Sequence, residues 1–282
     1  MYDIAIQDTG TFFTIYKDRE IEAFNKLNYL PNTFGLIPFS NEISFTNEVD
    51  NKTILLGSIK LIKLLLTNKF TDKYIIFYDL EKFKQSYYVK YLKEELLNHK
   101  ATYHRYGDIK DKIIRSRTFI KPSSDLKVFA GLLINPIEDN CKFLKHYLFD
   151  DGKIIDSILD ENYESDLIYL NDTTEILINE EIIDNIEKEY RCFIVDNKII
   201  DICQYYEKGS LNSKVLEEVE YNEVYDYITF INKLFKPHDH YVIDVCKVNG
   251  VFKVVEYNCI NCSGYYDIDL YKLFKTLLEI GE

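Results

Sequence analysis

The sequence has no tryptophan, one methionine, ten glycines and five prolines among its 282 residues. Such low glycine and proline contents exclude collagen-like and Pro/Gly-rich low-complexity chains. No apolar run approaches the roughly 20 residues that a membrane-spanning helix needs. The N-terminus also lacks the basic and then apolar segment that is typical of a secretory signal. We therefore expect a protein that does not associate with membranes and resides in the cytoplasm.

Positive charge is in deficit, because 34 Lys and Arg face 47 Asp and Glu, for a net charge of −13. DNA- and RNA-binding proteins need a broad basic face, so no nucleic-acid partner is expected. Six cysteines are present, and only Cys259 and Cys262 are close in sequence. One such pair does not complete a structural zinc site, which takes four ligands. We therefore expect reduced thiols with no bound zinc.

The first part of the chain alternates strand and helix patterns. Short apolar strands are predicted at residues 4–6, 53–56 and 74–78, and amphipathic helices at 59–66 and 79–99. This order predicts an α/β layer, which we assign to an N-terminal domain of residues 1–112. The helix at 79–99 is rich in tyrosine, which leaves open a homodimer that packs through it.

The rest of the chain, residues 113–282, has the pattern of an α+β domain. A strand at 117–121 ends at Pro122, a helix is predicted at 140–149, and hairpins are predicted at 190–206 and 241–258. The second hairpin turns at Asn249-Gly250, which is a strong hairpin signal. Helices flank this hairpin on both sides in sequence. The fold class expected for the whole chain is therefore α/β plus α+β.

Three oxygen ligands lie in the otherwise apolar strands of the last hairpin: Asp244, Glu256 and Asn258. Burying carboxylates among apolar residues is costly unless a cation or a donor meets them. Oxygen-only ligands suit Mg²⁺ or Mn²⁺. The alternative is that the three side chains lie on the solvent face of the sheet.

Whether Asp244 joins the other two depends on the turn. With a two-residue turn and a regular ladder, it faces away from Glu256. With a three-residue loop that ends in a left-handed Gly250, it shares the face of Glu256 and Asn258. We predict the three-residue loop, and hence three convergent oxygens.

Cationic side chains elsewhere are candidates for binding a polyphosphate. Lys121 ends a strand, Lys127 lies in the polar loop that follows it, and Arg191 lies inside a strand, where its guanidinium suits phosphate oxygens. Two further features stay open. The pair His238 and His240 suggests either a metal site or a loop rim, and the segment 115–117 suggests either an acidic-substrate site or a solvated turn.

Taken in order, these segments resemble the ATP-grasp superfamily. The matching pieces are Phe-Ile-Lys-Pro at 119–122, Glu-Tyr-Arg-Cys-Phe-Ile-Val-Asp at 189–196, Val-Ile-Asp-Val at 242–245, and Val-Val-Glu-Tyr-Asn at 254–258 running into Cys-Ser-Gly-Tyr-Tyr at 262–266. The resemblance implies an ATP-grasp fold, with a pre-ATP-grasp domain at 1–112 and two α+β subdomains that clasp ATP at 113–282.

The resemblance also implies roles for individual residues. Lys121 would contact the α- and β-phosphates of ATP, and Lys127 would lie on the loop that closes over them. Arg191 would stabilise charge at the γ-phosphate or on an acyl phosphate. The remaining implied roles are adenine binding by the hinge residues Asn179, Glu180, Glu181 and Ile182, Mg²⁺ or Mn²⁺ binding by Asp244, Glu256 and Asn258, and an acceptor site bordered by Ser263 and Gly264. The loop 123–130 departs from the family pattern because it has no run of glycines.

The function implied is an ATP-dependent ligase that joins a carboxylate to an amine through an acyl phosphate. Its partners would be small-molecule or peptide carboxylates and amines. Two alternatives on the same fold are a phosphotransferase and a protein that binds ATP without turnover.

Overall fold

The computed structural model describes residues 2–8, 17–37, 42–49, 52–67, 74–124, 128–136, 142–150, 153–154 and 171–280. By backbone contacts the chain divides into two compact units. Unit 1 combines Met1–Phe83 with Asn185–Glu282, and unit 2 is Lys84–Asp184. The first unit is therefore built from both ends of the sequence.

Unit 1 contains two sheets. Their strands are β1 (Asp3–Gln7), β2 (Asn32–Leu36), β3 (Ile43–Phe45), β4 (Thr53–Leu56), β11 (Ile186–Val195), β12 (Lys198–Glu207), β13 (Ser210–Val215), β14 (Tyr241–Val248) and β15 (Val251–Asn258), while β5 to β10 belong to unit 2. In the four-stranded sheet the order is β3-β2-β1-β4, with β1 parallel to both β2 and β4. The five-stranded sheet is antiparallel, with the order β13-β12-β11-β14-β15.

Helices α1 (Lys17–Lys26), α2 (Ile59–Thr67), α6 (Glu218–Leu234) and α7 (Leu270–Leu278) complete unit 1, with a 3-10 helix at Ile260–Cys262. One apolar cluster joins the two sheets through α1 and α7. Its members include Ile4, Phe24, Phe193, Val242 and Phe274, and the rings of Phe24 and Phe274 are stacked with centroids 4.3 Å apart. The N-terminal strands therefore supply part of the core on which the five-stranded sheet rests.

Unit 2 is built around an antiparallel four-stranded sheet. Its elements are α3 (Gln85–Leu92), a 3-10 helix at Lys93–Glu95, β5 (Thr102–Arg105), α4 (Tyr106–Ile109), β6 (Thr118–Pro122), β7 (Leu132–Ile134), α5 (Leu144–Leu148), β8 (Phe149–Asp150), β9 (Lys153–Ile154) and β10 (Glu175–Asn179). The strand order in the sheet is β5-β10-β6-β7. Ile120, Ile176 and Ile178 from these strands pack with Phe129 and Leu144 in a separate core.

Two predicted elements are shorter than expected. The predicted strand 74–78 is wrong as a strand, because only Ile75 forms an isolated bridge, with Ile54. The predicted helix 79–99 begins only at Gln85. The Asp79 carboxylate accepts hydrogen bonds from the backbone N–H groups of Glu81 and Lys82, and such a local bond offers the chain a turn in place of a helix.

Other predicted elements are confirmed with small differences. The strand near 117–121 is β6, which ends at Pro122 as expected. The helix predicted at 140–149 is described as α5 at Leu144–Leu148, and residues 137–141 lie outside the described residues. Both predicted hairpins are present, as β11–β12 and β14–β15.

The compact units do not coincide with the predicted division at 112/113. Strand β5 pairs with β10, so residues 84–112 group with the middle of the chain. The predicted division concerns family domains and stays a prediction. No helix among the described residues is long and apolar enough to cross a membrane.

Candidate functional site

The turn of the last hairpin differs from the prediction. Val248 pairs with Val251, so Asn249 and Gly250 form a two-residue turn, and both have positive φ, at 50° and 76°. The three-residue loop is therefore wrong. The two-residue turn is favoured because two left-handed residues match the right-handed twist of the strands.

A β-bulge nevertheless brings the oxygens together. Val245 pairs with Val254 and Asp244 pairs with Glu256, so Val255 is an extra residue in β15. An extra residue of this kind reverses the alternation of faces along the strand. Residues directly opposite in a ladder share a face, so Asp244 and Glu256 lie on the same face of the sheet. Asn258 shares this face, and its Nδ2 donates to Asp244 Oδ2 at 2.9 Å.

Arg191 pairs with Asp244 across β11 and β14. Its Nε donates to Asp244 Oδ1 at 2.8 Å and its Nη2 to Oδ2 at 2.7 Å. Both side chains are buried, at 6% and 1% exposed. Burial alone would lower the pKa of the guanidinium, but the adjacent Asp244 carboxylate raises it, so the net pKa of Arg191 is well above its usual value. The two charges therefore neutralise each other inside the sheet.

Glu189 adds a third carboxylate that the sequence interpretation did not assign. It lies two residues before Arg191 on β11 and accepts a hydrogen bond from the Tyr205 hydroxyl. Burial raises the pKa of Glu189 to about 7, and the charges of Asp244 and Glu256 also raise it. The two-residue spacing from Arg191 was a usable sequence signal. Tyr205 was not, because it reaches this face at a register irregularity between Gln204 and Tyr206.

The segment that follows β15 is tied to the same cluster. Arg191 Nη1 donates to the Gly264 carbonyl at 3.1 Å. The guanidinium also lies 5.3 Å from the ring centroid of Tyr205 and 5.0 Å from that of Tyr266. The Ser263 hydroxyl donates to the Cys259 carbonyl at 2.8 Å, which shapes the turn before Gly264. The predicted acceptor residues Ser263 and Gly264 are thus placed beside the charged cluster.

The predicted nucleotide residues that the structure describes outside unit 1 belong to unit 2. Lys121 lies on β6 and pairs with Leu177 of β10. The predicted hinge strand at 176–182 is shorter than expected, because β10 ends at Asn179. Lys127 lies outside the described residues.

The hinge itself is organised by Asn179. Its Oδ1 accepts from Glu181 N at 3.1 Å, and its Nδ2 donates to Glu181 O at 3.1 Å and to Asn98 Oδ1 at 2.9 Å. The side chains of Glu180 and Glu181 form ion pairs with Lys112 and Lys100. Asn179 therefore shapes the turn through Glu181.

The alternative metal and substrate features are engaged in local contacts. His240 Nδ1 accepts from Asp196 N, and His238 Nδ1 accepts from His240 N, both at 3.0 Å. Burial lowers the pKa of both imidazoles. Arg117 forms an ion pair with Asp184 at 2.5 Å. Cys192, Cys203, Cys246, Cys259 and Cys262 are free thiols, and Cys141 lies outside the described residues.

The donor set on the charged face fits a hard divalent cation. Asp244, Glu256 and Asn258 offer carboxylate and amide oxygens from one face of adjacent strands, the donor types that Mg²⁺ and Mn²⁺ prefer. Within the described part of the chain, no group of three or more His, Cys, Asp and Glu side chains is placed to hold a metal by itself. The amide oxygen of Asn258 and bound phosphate oxygens would have to complete the coordination.

The family comparison agrees with this arrangement. A family model of the ATP-grasp domain, the third family of its clade, matches residues 88–277 of this chain. The protein belongs to this ATP-grasp family. The match includes Lys121, Arg191, Asp244, Glu256 and Asn258. A search of curated protein sequences finds no match.

Solved structures show the same fold. The chain is similar to D-alanine–D-alanine ligase from Helicobacter pylori (12% identity, TM-score 0.52, covering 99% of this chain and 98% of the other). It is also similar to the D-alanine–D-alanine ligase from Bacillus anthracis (15%, 0.53, 99% and 97%). A third is the VanG D-Ala:D-Ser ligase from Enterococcus faecalis (11%, 0.53, 99% and 99%). At these identities the likeness shows the ATP-grasp fold, as predicted.

Proposed function

We propose that this ATP-grasp protein is an ATP-dependent ligase that joins a carboxylate to an amine. The observation that carries the proposal is the set Asp244, Glu256 and Asn258, which shares one face of the sheet with Arg191. A cluster that combines oxygen ligands with a guanidinium suits a magnesium nucleotide, because it meets both the metal and the phosphate charge. The named activities of the three similar structures support the same reaction class.

The proposed roles follow the geometry of each unit. In unit 1, Asp244, Glu256 and Asn258 hold Mg²⁺ or Mn²⁺, and Arg191 keeps Asp244 charged and oriented. In unit 2, Lys121 binds the α- and β-phosphates. Because Asn179 engages both backbone groups of Glu181, we assign adenine recognition to the backbone of Ile182. Side-chain contacts of Glu180 or Glu181 with the nucleoside stay a prediction, as does the role of Lys127.

In the proposed reaction the substrate carboxylate attacks the γ-phosphorus, and ADP leaves. The acyl phosphate then reacts with the amine, an amide bond forms and phosphate is released. The divalent cation would neutralise charge on the phosphate oxygens. The protein's own contribution is orientation, the positive charge of Lys121 and Arg191, and exclusion of water from the acyl phosphate.

The proposal is tested by following ADP release from Mg-ATP with a panel of carboxylic acids and amines, added singly and in pairs. We expect ADP release only when both partners are present, with an amide as the second product. Glu256→Gln removes a charged ligand and should lower turnover about a hundredfold. Glu223→Gln is the matched control, because Glu223 pairs with Lys247 outside the cluster and should leave turnover unchanged.

Each other outcome replaces the proposal by a named alternative. A stable phosphorylated product without an amide would make the protein a phosphotransferase. ATP binding without ADP release across the panel would make it a non-catalytic ATP-binding protein. Equal turnover in Glu256→Gln and the wild type would remove Glu256 from the metal site.

A further inference from the structure

The contacts of Asp244 leave little room for a cation while Arg191 is in place. A carboxylate has about four lone-pair positions for donors or metals. Two of those on Asp244 are taken by Nε and Nη2 of Arg191, and a third by Nδ2 of Asn258. A divalent cation and the guanidinium would also repel each other at this distance. Binding of the metal proposed above therefore competes with the arginine for Asp244.

Arg191 also holds the segment Gly264–Ile268. Its Nη1 donates to the Gly264 carbonyl at 3.1 Å, and the guanidinium is a rigid plane, so this bond moves together with those to Asp244. Within the segment, Tyr266 has φ of 48°, a left-handed backbone that is strained for a residue with a β-carbon. Such a conformation persists only where surrounding contacts hold it.

A second arginine fixes the far end of the same segment. Arg19 on α1 donates to the carbonyl of Tyr266 and, at 2.7 Å, to that of Ile268. Arg19 also pairs with Asp267 at 3.5 Å. None of these contacts involves Asp244, Glu256 or Asn258. The two arginines therefore anchor one segment, and only Arg191 connects it to the proposed metal ligands.

We propose that Arg191 is a positioning residue that exchanges partners when a metal nucleotide binds. The cation takes over Asp244, the guanidinium withdraws, and the Gly264 carbonyl is released, so the Gly264 end of the segment loosens while Arg19 retains the other end. This inference rests on the proposed function, because it requires Asp244 to be a metal ligand. It couples occupation of the metal site to the conformation of residues 263–266, where we expect the acceptor substrate.

The test combines two measurements on the full chain, with Mn²⁺ and a non-hydrolysable ATP analogue as the probe. Electron paramagnetic resonance gives the affinity for Mn²⁺, and hydrogen exchange by mass spectrometry reports on residues 263–266. In the wild type we expect exchange there to become faster when Mn²⁺ and the analogue bind, and not with the analogue in EDTA. Arg191→Met should bind Mn²⁺ on the order of tenfold more tightly, because the competing cation is gone. Exchange in this variant should be fast already without metal.

The matched control is Arg19→Met. It should speed exchange near Tyr266 and Ile268, leave the Mn²⁺ affinity unchanged, and keep the metal-dependent change at Gly264. If Arg191→Met does not fold, Arg191→Lys replaces it, since lysine keeps the charge and loses the bidentate geometry. For Arg191→Lys we expect fast exchange at residues 263–266 before metal is added.

Two results overturn the proposal in different ways. If the wild type binds Mn²⁺ with the analogue but exchange at 263–266 stays the same or slows, Arg191 does not couple the two regions, and the proposed function is untouched. If no Mn²⁺ binds with the analogue, the metal site itself is wrong, and both proposals end together.

Discussion

Two buried carboxylates of unit 1 have opposite surroundings. Asp244 receives hydrogen bonds from Arg191 and Asn258. Glu20, on α1, is 5% exposed, and its Oε1 has no hydrogen-bond partner. Burial raises the pKa of Glu20 to about 7, since no donor compensates for the loss of water. The folded protein therefore prefers Glu20 in its protonated form.

This preference predicts how stability depends on pH. The carboxyl of Glu20 has a pKa near 4.5 in the unfolded chain and about 7 in the folded one. Between these values the folded state binds more protons, so the free energy of unfolding falls as pH rises from 4.5 to 7. Glu20→Gln should abolish this loss. At pH 8 the variant should be more stable than the wild type by up to about 3 kcal/mol, and near pH 4 the two should be similar.

Urea unfolding of unit 1 at several pH values measures the effect. Glu22→Gln is the control, because Glu22 lies on the same helix, is exposed and pairs with Lys26. Its curve should follow that of the wild type. Parallel curves for Glu20→Gln and the wild type would show that Glu20 is not buried as a neutral group.

At the scale of elements, the hairpin β14–β15 combines a tight turn with a bulge. A two-residue turn alone would place Asp244 opposite Val255 and turn Glu256 to the other face. The bulge at Val255 restores the shared face. The hairpin thus reaches the predicted convergence by a different backbone route, and its turn depends on a glycine with φ of 76° at Gly250.

Gly250→Ala is therefore expected to destabilise unit 1. A β-carbon in the left-handed region costs roughly 1 kcal/mol or more, although no other atom lies within 4 Å of the position where it would sit. Gly35→Ala is the matched control, because it also has open space around it and lies in β2. Thermal unfolding should show a lower midpoint for Gly250→Ala alone. Equal midpoints for the two variants would argue against the left-handed turn.

At the scale of the whole molecule, Asn261 joins parts of unit 1 that are far apart in sequence. Its Nδ2 donates to the carbonyls of Leu55, at 2.8 Å, and Ile75, at 3.2 Å, and its Oδ1 accepts from Phe77 N at 2.8 Å. The side chain is 1% exposed. It therefore connects the turn after β15 to the four-stranded sheet and fixes the start of the segment that leads to Gly264.

Asn261→Ala should lower the free energy of unfolding by about 3 kcal/mol, because buried backbone groups lose their partners. Asn47→Ala is the control, since Asn47 is an exposed asparagine whose side chain bonds to Asn32. It should be close to neutral. Denaturant unfolding followed by circular dichroism measures both variants. A similar small change in the two would mean that water replaces the Asn261 bonds.

Much of this arrangement could be predicted from local sequence. The alternation of apolar residues predicted the hairpins, and Asn249-Gly250 predicted the turn between β14 and β15. The pattern did not show that Asp79 would bond to its own backbone and delay the start of α3 until Gln85. A helical periodicity describes side chains, whereas a competing local hydrogen bond is decided by the backbone that forms.

The amino-acid sequence by itself determined the strand pattern of the last hairpin and the identity of its oxygen ligands, because alternation and turn chemistry are properties of neighbouring residues. Only the tertiary structure decided which face Asp244 occupies and that Arg191 holds it. Both depend on the register between strands that are separated in the chain, and that register is set where the sheets and helices of unit 1 pack together.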